Sequence, residues 1–301
     1  MRLLTFDECW NLLYHKVFEN ECLTPEFEKI GKEIARKCQG LPLATVVMAG
    51  VLLKIGKSLD EWTKVVEDVN LLMSTYLDQY CSRVLVLSYY HLPHHLTACL
   101  LYLVVFKKSS EIQVSKLVRL WTAEGFVKVK RDESFEMVVE KYLKDLVDRS
   151  LIIVNMLSFF GKIISCGLHD MVHGFCSEEA QNTNFLNIIT ENDVQHQGSR
   201  SSILFPSHQR RVSIQSSGMN YQLPLGDDTD TEVRSILYCG NSFCTIKLDF
   251  SRFKLLRVLD ISSVTLDSRP NIIEGLFHLR YLAFTIYQPS NTPVYSRICR
   301  V

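Results

Sequence analysis

The segment His169-Asp170-Met171-Val172-His173 sets two imidazoles four residues apart, an interval that brings both to one face of a helix and suits them to zinc. Asp170 stands where a hydrolytic zinc helix carries its glutamate base, one methylene short, and Glu191 is the nearest candidate third ligand. A metal-dependent hydrolase is therefore one reading. In the other, Asp170 caps a helix and one histidine packs beneath it. The second needs fewer coincidences, so no metal site is expected. Gly50 followed by Gly56-Lys57-Ser58 looks like a phosphate loop, but five residues separate the glycines where four are required. The preceding run is an apolar helix rather than a strand, so its amides cannot converge on a phosphate, and Ser58 serves better as the next helix cap. His91, His94 and His95 surround Pro93, with Cys99 beyond them. A helix starting at that proline turns them in different directions, and they read as surface or capping histidines. No catalytic residue is expected, and the chain reads as non-enzymatic.

Helices dominate the segments that must position these groups. Phe27, Ile30, Ile34, Ala35 and Cys38 form one amphipathic stripe, opened by Thr24-Pro25-Glu26 and closed at Gly40. Pro42 restarts a helix through Ile55 that is apolar all round, so neighbours must surround it. Ser58-Leu59-Asp60-Glu61 is a capping box before Trp62, Val65, Val66 and Val69. Beyond Cys81 the pattern becomes a series of helices, then Leu151–Leu157 and Lys162–Leu168 about Phe160-Gly161, a hairpin; helices followed by a two-stranded wing suggest a winged helix. DNA binding through Val114–Glu124 is disfavoured, because its polar face offers only Lys116 and Arg119 against Glu124.

The tail repeats. Val233, Leu256 and Leu279 lie 23 apart, as do Ile236, Leu259 and Leu282, and Tyr238, Ile261 and Phe284. That L-x-x-L-x-L shape falls within the leucine-rich-repeat range of about 20–29 residues. Pro289–Val301 does not continue the columns, so the array is expected to be cut short. The fold class expected is mainly α: a helical bundle over 1–75, a winged helix over 76–183, a connector over 184–232 in which Arg210-Arg211-Val212-Ser213-Ile214 alternates like a strand, and truncated α/β leucine-rich repeats over 233–301. The 33 basic and 33 acidic residues cancel, which argues against nucleic-acid or membrane attraction. The longest apolar runs are too short to span a bilayer, and ten cysteines without a CxxC pair fit reduced thiols and a cytoplasmic location.

Four blocks, in order, carry a family resemblance: Leu3-Leu4-Thr5-Phe6-Asp7-Glu8-Cys9-Trp10 with Leu12-Leu13; Ile34-Ala35-Arg36-Lys37-Cys38-Gln39 running into Gly40-Leu41-Pro42-Leu43; Cys99-Leu100-Leu101-Tyr102-Leu103 with Leu120-Trp121-Thr122-Ala123-Glu124-Gly125-Phe126; and Leu168-His169-Asp170. With these the chain resembles plant NB-ARC leucine-rich-repeat disease-resistance proteins, most closely the late-blight resistance class of nightshade plants. Phe106-Lys107-Lys108 departs from the family's Phe-Pro-Glu, and Leu168 replaces a methionine of similar volume. The family's phosphate loop is expected to precede residue 1.

The resemblance implies an intracellular immune receptor, an ADP/ATP-dependent switch in defence against pathogens, including the hypersensitive response. It implies that Pro42 and His169 contact ADP, with Gly40, Leu41, Leu43, Leu168 and Asp170 supporting them, and that the repeats meet a pathogen effector or a guarded host protein. A non-catalytic interaction module or decoy binding a related receptor is the alternative. A hydrogen bond from His169 to phosphate contributes roughly 1.5–3 kcal/mol. Packing on Pro42 adds about 1 kcal/mol. Micromolar affinity needs about 8 kcal/mol net, so the 301 residues alone are expected to bind neither ADP nor ATP tightly.

Overall fold

The computed structural model describes residues 2–18, 23–72, 77–190, 195–197, 200–202, 209–215, 221–222, 232–240, 253–266, 275–287 and 293–299, and the statements below concern these. The chain divides into two units: 1–97 with 139–175, and 98–138 with 176–301.

In the first unit, helices α1 (Phe6–Phe18), α2 (Pro25–Lys37), α3 (Pro42–Ile55), α4 (Leu59–Leu72) and α5 (Leu77–Tyr90) follow one another. Pro25 and Pro42 occupy first turns, where a missing N–H removes no helical bond. The apolar α3 is enclosed as its composition demands: α1, α4 and α5 pack on it, and Ala44, Val47, Met48, Val51 and Leu52 are buried. Gly50 gives a fourth neighbour access, since a Cβ there would lie 2.6 Å from Arg149 Cα. Trp62 closes the bundle, its ring against Phe18 and Phe27 and its indole N–H donating to the Gly56 carbonyl at 2.9 Å. The Thr24 hydroxyl makes no capping bond to α2, whereas Ser58 Oγ accepts from Glu61 N at 3.4 Å. Strands β2 (Ile153–Leu157) and β3 (Ile163–Gly167) pair antiparallel about Gly161, as the hairpin reading requires.

The winged-helix elements in chain order are α6 (His94–Tyr102), β1 (Ile112–Gln113), α7 (Val114–Glu124), α8 (Phe135–Asp148), the β2–β3 hairpin and α9 (Asp170–Asn182). The second unit carries a six-stranded sheet in the order β12-β11-β10-β9-β7-β4. Its strands are β4 (Asn187–Ile189), β7 (Arg211–Ile214), β9 (Ser235–Tyr238), β10 (Val258–Leu266), β11 (Tyr281–Tyr287) and β12 (Pro293–Cys299). Short strands β5 (Gln195–Gln197), β6 (Arg200–Ser202) and β8 (Tyr221–Gln222) form a separate sheet.

The 23-residue columns are a register. Ile236, Leu259 and Leu282 are cross-strand partners on parallel β9, β10 and β11, and Val212 of β7 extends the row. All three columns join one apolar cluster with Phe253 and Leu276, a further pair at the same spacing. The span 184–232, read as a connector, supplies β4 and β7 to this sheet: Ile189, Val212 and Ile214 enter the same cluster, which short isolated strands can do only by pairing with neighbours. Strand β12, within the tail that breaks the columns, runs antiparallel to β11. The opposite sheet face is buried too. Ser213, Ser235, Leu237, Val258, Asp260 and Tyr281 are all covered, and α7 packs on β10 and β11. Parallel sheets are ordinarily covered on both faces, and here α7 is part of the cover.

Candidate functional site

The turn between α2 and α3 carries the first motif. Gln39 and Gly40 both adopt positive φ, 53° and 77°, reversing the chain between the two helices. A side chain at Gly40 would set Cβ 2.6 Å from the Leu4 carbonyl oxygen, and the Leu4 N–H donates to the Gly40 carbonyl at 2.8 Å. The glycine thus answers to backbone geometry and to close contact with the N-terminal segment. Leu41, Pro42 and Leu43 are half-buried at the start of α3. The nearest cations are engaged: Arg36 lies over the Phe6 ring, and Lys37 bonds Asn70 and pairs with Glu33.

The second motif joins β3 to α9. Leu168 is buried, Asp170 exposed and His169 half-exposed. The cap of α9 is His169, not Asp170: Nδ1 of His169 accepts from the Met171 N–H at 3.2 Å, a bond available only to a side chain one residue before the helix. An Nδ1 that accepts places the ring proton of a neutral imidazole on Nε2, leaving one N–H to donate outward. His173 is the histidine that packs, 9% exposed. Among the described residues no three His, Cys, Asp or Glu side chains converge as a metal site; Glu191 lies outside them. In kind, an imidazole N–H suits a phosphate oxygen and a proline ring suits an apolar face; the cations that dominate phosphate affinity are not among these groups.

Gly56 ends α3 with φ 76°, an inter-helix turn as the loop spacing indicates. His91 and His94 are exposed, and the His95 ring rests on Tyr142. Cys9, Cys38, Cys99, Cys166 and Cys176 are buried free thiols. Burial pushes Cys166 up to about 12 and Cys99 and Cys176 higher still, so these three stay protonated at neutral pH.

Helix α7 departs from its sequence reading. Glu124 is 7% exposed rather than solvated, and accepts from Arg211 Nε at 2.9 Å and from the Ser235 hydroxyl. Lys116 pairs with Asp260 at 2.6 Å. Ser213 donates to the Val105 carbonyl at 2.6 Å and Gln215 to that of Val104 at 2.9 Å. The Tyr102 hydroxyl beneath this network is raised well above its ordinary range, first by burial and then by the charge of Glu124. Periodicity could show that these polar groups share a face. It carried no signal for the sheet that covers them.

Residues 105–176 match the winged helix domain of disease resistance proteins. The chain is 33% identical over 305 aligned residues, 96% of its length, to a late blight resistance protein homolog of Solanum demissum, of which it spans 23%. It is also 33% identical over 283 residues, 94% of its length, to the disease resistance protein RPP13 of Arabidopsis thaliana, spanning 32% of that protein. The chain thus covers about a quarter to a third of the relatives it matches. No described helix is long and apolar enough to cross a membrane.

Proposed function

We propose that this chain, a relative of plant disease-resistance proteins bearing their winged-helix domain, serves as the lid and first sensor segment of an intracellular immune receptor that switches between ADP- and ATP-bound states. The parallel sheet at 23-residue spacing is the start of a leucine-rich-repeat solenoid in this reading, and its continuation meets a pathogen effector or guarded host protein. The observation that supports the proposal is the His169 ring: with Nδ1 accepting from the Met171 N–H, Nε2–H is left as the donor that this reading assigns to a diphosphate. Pro42 at the head of α3 supplies the apolar contact for a purine. Ligand binding that favours one of two arrangements shifts their populations, which is what a switch requires.

Two contacts give the 301 residues no ADP affinity tighter than about millimolar. The test is calorimetry on two proteins: this chain alone, and the chain fused behind the phosphate-loop region of a late-blight relative. The fusion is expected to bind ADP, with His169→Ala raising Kd about 10–100-fold. An unchanged Kd in that variant would remove His169 from the site.

A further inference from the structure

The tip of the wing presents two rings to solvent. Phe159 and Phe160 are 99% and 87% exposed, edge to face with their centroids 5.5 Å apart. Antiparallel pairing ends at Leu157 and Ile163, so residues 158–162 form the projecting end of the β2–β3 hairpin. Ile153, Met156 and Leu157 of β2 and Ile164 of β3 carry exposed apolar surface back from that end.

The turn keeps its polar groups to itself. The Ser158 N–H donates to the Lys162 carbonyl at 2.7 Å, the Gly161 N–H to the Ser158 carbonyl at 2.9 Å, and the Lys162 N–H to Ser158 Oγ at 3.0 Å. Gly161, at φ 75°, lets the chain reverse within that space. Backbone groups already paired cost less to remove from water than free ones. From Ser150 to Leu168 the one charged side chain is Lys162, exposed beside the rings, and no acid occurs.

Three kinds of cover compare. Strand addition along β2 is hindered, because its pairing with β3 shifts register at Val154/Met156 and again at Met156/Leu157, and irregular edges resist a further strand. A second copy would set one convex tip against another. The two rings bring about 300–500 Å², against about 800 Å² that each partner of a stable complex buries. A lipid surface makes neither demand: it accepts projecting rings singly, and its anionic headgroups match the lysine. The Lys162 stem can lie along the rings while its ammonium stays among those headgroups.

We infer that the wing tip docks on an anionic lipid surface, with Phe159 and Phe160 inserted at the acyl boundary and Lys162 at the headgroups. The 33 basic and 33 acidic residues of the chain give no long-range pull, so the attachment is local and reversible. The inference stands apart from the nucleotide reading, because His169 lies beyond the other end of the hairpin and no nucleotide enters the test.

The test is vesicle flotation with the 301-residue chain, in which aggregates sink and only lipid-bound protein rises. Vesicles of phosphatidylcholine with about one-third phosphatidylserine should carry up several-fold more protein than phosphatidylcholine alone. Phe159→Ser with Phe160→Ser should cut the floated fraction about tenfold, and Lys162→Gln should erase most of the preference for phosphatidylserine. Phe277→Ser, at a ring 92% exposed outside the hairpin, should change flotation by less than about twofold. Should the double variant fail to fold by circular dichroism, Phe160→Ser alone decides the matter, with a loss of about threefold. No flotation on either vesicle, or flotation indifferent to Phe160, overturns the inference. An equal loss from Phe277→Ser does so too, since it would mark general adhesion of exposed rings. So does a defined dimer at micromolar concentration whose loss in the double variant leaves flotation unchanged, which would make the tip a contact between chains.

Discussion

Arg211 Nε donates to Glu124 Oε2 at 2.9 Å, joining the end of α7 to the first residue of β7 across 87 positions of sequence. The Glu124 side chain is 2% exposed, and the Ser235 hydroxyl takes its other oxygen. Removing one partner of a buried ion pair strands the other, at a cost of about 3–5 kcal/mol. Glu124→Ala should lower the urea midpoint accordingly. Glu124→Leu with Arg211→Met should cost clearly less than the two single changes added together. Additive single effects in a double-mutant cycle would show that the residues do not interact.

Gly40 and Gly56 separate strain from crowding. Both have positive φ, 77° and 76°, but a Cβ at Gly40 meets the Leu4 carbonyl at 2.6 Å while Gly56 faces open space. Gly56→Ala should cost about 1 kcal/mol from backbone strain alone. Gly40→Ala should exceed it by about 1 kcal/mol or more, because the Leu4 segment must also move. Thermal melts of the two variants compare them directly, and equal losses would mean that the Leu4 contact contributes nothing.

Lys54 lies 2.7 Å from Asp148 and 3.1 Å from Asp145. Burial alone would lower its pKa; hydrogen bonds and charge from Asp148 and Asp145 outweigh that and leave it raised. The stabilisation is therefore complete below the unfolded lysine value of about 10.4 and is lost as pH climbs through the folded one. With the side chain a quarter exposed, the effect is about 0.2–1 kcal/mol. The stability difference between the parent chain and Lys54→Met should shrink between neutral pH and pH 11. A difference that stays constant would contradict the pairing.

Native alkylation should spare the buried thiols. With its thiol pushed up to about 12, Cys166 is ionised in roughly one molecule in ten thousand at pH 8. Iodoacetamide labelling followed by peptide mapping should leave Cys9, Cys38, Cys99, Cys166 and Cys176 unmodified until urea unfolds the chain. Rapid native labelling of Cys166 would show that β3 opens locally.

The wing tip carries Phe159 and Phe160 at 99% and 87% exposure, beside exposed Met156 and Leu157. Apolar patches of this kind promote association. Phe159→Ser with Phe160→Ser should reduce light scattering at high concentration and shift stability by no more than about 0.5 kcal/mol. A large loss of stability would mean that the rings pack in solution.

Periodicity made the bundle helices, the hairpin about Gly161 and the 23-residue columns readable, because each depends on which side chains share a face, and spacing alone fixes that. The motif order was readable for the same local reason, and it led to the disease-resistance winged helix that residues 105–176 match. What covers a face is a different matter. Lys116 and Glu124 read as the solvent side of α7 until Asp260 and Arg211 arrived from strands far along the chain. At the head of α9 it is the His169 Nδ1 that takes the Met171 N–H, a bond that the preference for Asp at helix caps does not predict. Arg210, Arg234, Arg257 and Arg280, each just before a strand, are scattered in sequence and become a row only when parallel pairing stacks them one strand apart. Charge acts through space, and that distance is set by the tertiary fold.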